Sequence, residues 1–253
     1  MSVRHWVAIP NFVDTANFRP AADAAERAAC RRQQGLPAEA FVIGCVAALK
    51  RDHKRADYLI REVAAMGFSQ RHREGAFLLL AGATTDDTPV VERLAGELLP
   101  GRHRIMRDVP RNEMPDVYRC MDVFVLPSLF EMMPIAILEA MASGVPVLVN
   151  RHPNLAWIVG ERLGDEGGRR TTDDGQRTTD DGLRTTDDGQ RTAGEVCVDM
   201  ATDGALASAV AGLTAANLRE LGRAARLRAE RVFSRQVVIE QYVRYYEEVM
   251  GKG

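Results

Sequence analysis

The chain has 253 residues, 46% hydrophobic and 27% charged, and its 33 Lys+Arg nearly balance 35 Asp+Glu for a formal net charge of -2. That length buries roughly 70–75% of the unfolded chain's surface, and near-neutrality removes the long-range pull toward nucleic acid or anionic lipid that a basic chain has. No apolar run approaches the ~18 residues of a membrane span, so peripheral membrane association alone stays open. Residues 1–10 lack the apolar core of a secretory leader. Cys30, Cys45, Cys120 and Cys197 lie far apart with no CxxC pair, which suggests neither a zinc site nor a disulfide framework. The expectation is a reduced, cytoplasmic protein that binds no nucleic acid.

From residue 41 onward strands and helices alternate. Phe41 to Leu49 (FVIGCVAAL) is a continuous apolar run, as in a strand covered on both faces. Phe77 to Ala81, Arg104 to Arg107, Asp122 to Leu126, Val145 to Val149 and Glu195 to Asp199 follow as further strand candidates. Helical stretches fall between them, at about 55–66, 88–98, 112–120, 135–143 and 203–217. The last fifty residues hold no strand candidate and end in a helix, Gln236 to Met250. This order predicts an α/β fold: a Rossmann-like, doubly wound parallel sheet with helices on both faces and C-terminal helices appended. Ligands of such sheets sit beyond the carboxyl ends of the strands.

Residues 170–190 break the pattern. RTTDDGQ, RTTDDGL and RTTDDGQ form a seven-residue tandem repeat with a single apolar residue, Leu183. That is too few for a coiled-coil seam, and Thr, Asp and Gly favour turns over core. Residues 166–194 read as a flexible surface insertion between the last two strands.

The candidate site is Ser128 to Gly144, SLFEMMPIAILEAMASG. It leaves a buried strand, crosses a short loop and enters a helix whose first turn suits Pro134. Ile135, Leu138, Glu139 and Ala142 share one face of that helix. Glu139 is therefore either an inward carboxylate that needs hydrogen bonds or a helix-edge residue reaching water. Glu131 lies eight residues earlier, in the loop. Loop amides and a helix N-terminus favour phosphate, and carboxylates accept hydrogen bonds from sugar hydroxyls. The pairing fits a ligand carrying both. A dinucleotide-dependent oxidoreductase is disfavoured, because Lys50-Arg51-Asp52-His53-Lys54 follows the first strand where G-x-G-x-x-G is required.

SLFEMMPIAILEAMASGVPVLV resembles the signature of retaining glycosyltransferases of the GT-B fold, family GT4 (glycosyl transferases group 1), with its two glutamates separated by seven residues. Three other stretches resemble the family in the same order. VAIPNFVDTANFRP (Val7 to Pro20) is similar to its interdomain linker. IGCVAALKRDHKRADYLI (Ile43 to Ile60) is similar to the first strand, basic loop and helix of the nucleotide-sugar domain. HPNLAWIVG (His152 to Gly160) is similar to the segment after the fifth strand.

The resemblance implies a linker over residues 1–20 and a nucleotide-sugar-binding domain over 21–253. It implies that Glu131 contacts the donor sugar at the reacting centre and that Lys54 neutralises the diphosphate leaving group. Glu139 would bind the ribose, the amides of Met132 and Met133 would reach phosphate or sugar oxygens, and the loop Arg107 to Val109 would border the base. Relatives often carry Arg where this chain has Ala48, leaving Lys50 or Arg51 either as substitutes or as a solvated basic loop, and they usually carry Gly where it has Met132. The resemblance implies no metal and no cofactor beyond the donor.

The family's acceptor-binding domain, often the source of a catalytic His, would be supplied by a separate domain or chain. His53, His72 and His152 read as exposed or capping residues. The expected activity is transfer of a hexosyl group from a nucleotide sugar to an acceptor hydroxyl with retention. The alternative is a non-catalytic nucleotide-sugar-binding module or truncated remnant.

Overall fold

The computed structural model describes residues 7–66, 75–161 and 196–251. The repeat at 170–190, the whole 166–194 segment around it, and His72 lie outside the described residues. The elements run α1 Ala24–Gln33, β1 Phe41–Val46, α2 Ala56–Ala65, β2 Ala76–Gly82, α3 Thr88–Leu98, β3 His103–Arg107, α4 Met114–Arg119, β4 Val123–Leu126, α5 Ile135–Ala142, β5 Val147–Asn150, α6 Pro153–Val159, β6 Cys197–Val198, α7 Ala205–Gly212 and α8 Ala215–Arg228. A π-helical turn, Ala229–Phe233, then leads into α9 Arg235–Met250.

The six strands form one sheet in the order β3-β2-β1-β4-β5-β6, and every pairing is parallel. β2, β4 and β5 are buried almost throughout, which is why they read as unbroken apolar runs, whereas β3 at the edge alternates between partial burial and exposure. α2 packs with α3 and α7, and α5 packs with α4 and α8. The chain reverses direction across the sheet between β1 and β4, the switch point at which doubly wound folds open a crevice. Among the described residues no helix is long and apolar enough to cross a membrane.

Several boundaries differ from the sequence expectation for local reasons. β1 stops at Val46 rather than Leu49, although Ala47 N and Leu49 N still donate to Ala81 O and Ala83 O. The expected 203–217 helix is two helices, because the Thr214 hydroxyl accepts from Asn217 N in a capping box that starts α8 afresh. α1 and α6 were not expected. Asp23 caps α1 by accepting from Glu26 N, and His152 caps α6 through Nδ1, which accepts from Asn154 N.

Residues 13–20 are built into the same core. Val13 donates to Phe233 O and accepts from Arg235 N, and Val13 and Phe18 are both buried. Arg226 Nη1 donates to Thr15 O, Phe18 O and Ala142 O, joining that segment to the end of α5.

Candidate functional site

Two loops meet at the switch point. The loop after β1, residues 47–55, carries the basic cluster, and the loop after β4, residues 127–134, carries Glu131. A backbone bond joins them, Leu129 N donating to His53 O at 2.9 Å. An ion pair closes the junction: Lys54 Nζ lies 2.5 Å from Glu131 Oε1, with side chains only 20% and 12% exposed. Arg55, the next residue, adopts a left-handed conformation (φ 54°) before α2 begins. Its guanidinium donates to Met200 O and stacks 4.0 Å from the Tyr58 ring. Those contacts hold a backbone geometry that a non-glycine residue adopts at a cost.

Asparagines fix the β4 loop by its carbonyls. Asn150 Nδ2 donates to Ser128 O, Asn154 Nδ2 to Glu131 O and Asn11 Nδ2 to Met133 O. Asn150 Oδ1 also accepts from Met200 N, tying the loop to the segment after β6. The N–H groups of Met132 and Met133 have no intramolecular acceptor among the described residues. They remain available to a ligand, while the Met132 side chain stands in solvent at 69% exposed.

Glu139 sits on α5 and is buried, which resolves the open choice in favour of the inward carboxylate. The Tyr118 hydroxyl donates to its Oε2 at 2.8 Å, and Arg111 Nη2 lies 3.9 Å from Oε1. Burial raises the Glu139 pKa above the ordinary carboxylate value, opposed by the Tyr118 hydrogen bond and the Arg111 charge. Burial and the facing carboxylate push the Tyr118 phenol well up, so it stays a proton donor.

The remaining predicted residues scatter. Arg51 turns to the β2 loop, with Nε 3.0 Å from Asp87 Oδ1 and its own N–H donating to Oδ2, and it lines a cavity of about 230 Å³ between α2 and α3. Lys50 is half-buried, and its carbonyl accepts from Ala56 N at the start of α2. Arg107 pairs with Glu92 on α3. Val109 is half-buried and packs on the core, two residues before Arg111, which brings its loop to Glu139. His53 is partly exposed beside Asp52. Sequence reasoning missed Tyr118, Arg111, Asn11, Asn150 and Asn154. Their partners lie far away in sequence, and no local spacing marks them.

A half-buried carboxylate, Glu131, paired to a lysine across the switch point, and a buried one, Glu139, held by a phenol, can receive sugar hydroxyls beside a phosphate-accepting loop. The sequence profile of the family described as "Glycosyl transferases group 1" matches residues 40–174, just over half of the chain. The chain belongs to this family. Among curated relatives it is similar to D-inositol 3-phosphate glycosyltransferase of Corynebacterium jeikeium, 34% identical over 148 residues, which is 56% of this chain and 35% of that protein. The chain thus spans about a third of the length of such a relative.

Solved structures share the fold. Sucrose-phosphate synthase from Thermosynechococcus elongatus superposes with a TM-score of 0.71 at 23% identity, over 97% of this chain and 53% of that one. Anabaena Alr3699/HepE in complex with UDP-glucose gives a TM-score of 0.71 at 15% identity, over 95% and 57%. The fold is that of GT-B glycosyltransferases, as the signature implied.

Proposed function

We propose that this chain is the nucleotide-sugar-binding half of a retaining glycosyltransferase, passing a hexosyl group to an acceptor hydroxyl in concert with an acceptor-binding domain. In this reading residues 1–20 serve as the linker to that domain and residues 21–253 as the donor domain. The observation that carries the proposal is the Lys54–Glu131 pair across the switch point of a family member. Lys54 would leave Glu131 to neutralise the diphosphate as it departs, where charge grows in the transition state. Glu131, released, would face the donor sugar. Glu139 would accept from the ribose hydroxyls, and the amides of Met132 and Met133 would donate to phosphate or sugar oxygens. Lys and backbone amides do the work of charge neutralisation here, with no metal and no further cofactor.

The Anabaena neighbour was solved with UDP-glucose, so uridine conjugates head the ligand panel. Thermal shift with UDP, GDP, ADP, dTDP and their hexose conjugates tests the donor site. A ligand at a hundred times its dissociation constant adds ~2.7 kcal/mol, a shift of about 5–10 °C for a chain of this size. A selective shift with one base supports the reading, and a flat panel from a cooperatively melting protein sinks it. Adding a separately expressed acceptor domain then tests transfer.

A second reading, a nucleotide-sugar-binding module that does not transfer, draws on Ala48 in the basic loop and on Met132, whose side chain stands beside the loop amides where relatives usually carry Gly. Donor binding without transfer, whatever acceptor domain is supplied, would favour it.

A further inference from the structure

Tyr118 is among the largest fully buried side chains in the described structure, yet it carries a polar hydroxyl that is committed to one acceptor, Glu139 Oε2 at 2.8 Å. The ring is held on two sides. Phe18 meets it edge-on with centroids 5.8 Å apart, and Phe124 of β4 lies tilted against it at 6.1 Å. The phenol therefore has little freedom to move, and α4 presents it to α5 as a fixed donor.

The carboxylate it holds has its other oxygen, Oε1, facing the Arg111 side, where an 81% exposed guanidinium marks the route to solvent. We propose that Tyr118 is a positioning residue for nucleoside recognition, anchoring Oε2 of Glu139 so that Oε1 stands oriented for ribose hydroxyls. This rests on the assignment of Glu139 to the ribose made above.

The physical reason is twofold. A buried carboxylate with a free terminal torsion has a broad, roughly two-fold choice of orientation, and binding must pay to fix it; a hydrogen bond already in place removes that cost. A ribose diol also offers two donors, so its partner must be an acceptor, and a carboxylate is acceptor-only when ionised. Burial works against ionisation, and the Tyr118 hydrogen bond works for it. The phenol thereby sets both where the acceptor points and the pH range in which it is one.

The test is isothermal titration calorimetry of wild type, Tyr118→Phe, Glu139→Gln and the double variant between pH 5 and 8. The ligands are UDP, GDP, ADP and dTDP, with inorganic pyrophosphate as control. Tyr118→Phe should weaken the preferred nucleoside diphosphate about tenfold and leave pyrophosphate unchanged. The acid limb of its binding profile should move to higher pH. On the Glu139→Gln background the same substitution should add little, because the two act as one unit.

Three outcomes overturn the proposal in distinguishable ways. An unaltered affinity in Glu139→Gln removes the ribose assignment and Tyr118's role with it. An unaltered affinity and pH profile in Tyr118→Phe, with Glu139→Gln weakened, removes the positioning role alone. Equal losses from Tyr118→Phe with and without Glu139 reduce Tyr118 to packing. Should Tyr118→Phe fail to fold, 3-fluorotyrosine at position 118, a stronger donor of nearly the same shape, must shift the acid limb to lower pH; an unmoved limb overturns the proposal.

Discussion

Lys54 Nζ and Glu131 Oε1 lie 2.5 Å apart, joining the loop after β1 to the loop after β4. Both side chains are largely removed from water, so each charge depends on the other, and removing one partner strands its counterpart. A diphosphate entering this crevice competes with Glu131 for the lysine. Glu131→Gln should therefore tighten binding of a nucleoside diphosphate several-fold, and Lys54→Met should weaken it at least tenfold. Titration calorimetry on the two variants checks both directions. Equal weakening in both would mean that the pair acts only as a structural latch.

Glu139 is expected to trade stability for function. Its pKa is raised in the folded state, chiefly by burial, so the fold favours its protonated form. That contribution is fully present below the ordinary carboxylate value of 4.5 and is lost as pH rises through the raised value. Glu139→Gln should then stabilise the protein at neutral pH by roughly 0.5–2 kcal/mol, or a few degrees in Tm, with the advantage fading toward pH 4. Nucleotide affinity should fall in the same variant. Thermal melts across pH, with and without nucleotide, separate the two effects. A variant less stable than wild type at pH 7 would mean that Tyr118 and Arg111 outweigh burial.

What could be read from the sequence follows from how each element earns its burial. β2, β4 and β5 are covered on both faces, so an apolar run suffices to find them. α1 has no such run: it is anchored by Arg27 and Arg31 to Asp122, and hydrophobic periodicity is blind to an ionic anchor. In the site, Glu131, Glu139 and Lys54 stood out by spacing and resemblance. The phenol on Glu139 comes from 21 residues away and the amide on Glu131 O from 23, with no local signal for either.

Gly82 and Gly96 make a matched pair of glycine tests. A Cβ on Gly82, the last residue of β2, would stand 1.7 Å from Ala47 O, so the backbone leaving β1 would have to shift. Gly82→Ala should displace the basic loop and cost both stability and nucleotide binding. On α3, a Cβ on Gly96 meets nothing within 4 Å. Gly96→Ala should gain about 1 kcal/mol from helix propensity alone. Denaturant melts of both variants give the comparison, and a neutral Gly82→Ala would show that the loop yields freely.

Asp122 is the residue whose loss should unfold the site from behind. It precedes β4, pairs with Arg31 at 2.6 Å and Arg27 at 2.8 Å, and accepts from Val42 N of β1 at 2.7 Å. Arg31 is only 7% exposed in its side chain and also donates to Cys120 O and Ala38 O. Asp122→Ala leaves that guanidinium without its carboxylate, a loss of about 3–5 kcal/mol. Because Asp122 spans β1 and β4, the two strands whose loops hold Lys54 and Glu131, the variant should also lose nucleotide affinity, and raising the salt concentration should not restore it. A urea melt beside a nucleotide titration checks both. A loss of under 1 kcal/mol would assign the clamp between these strands to apolar packing instead.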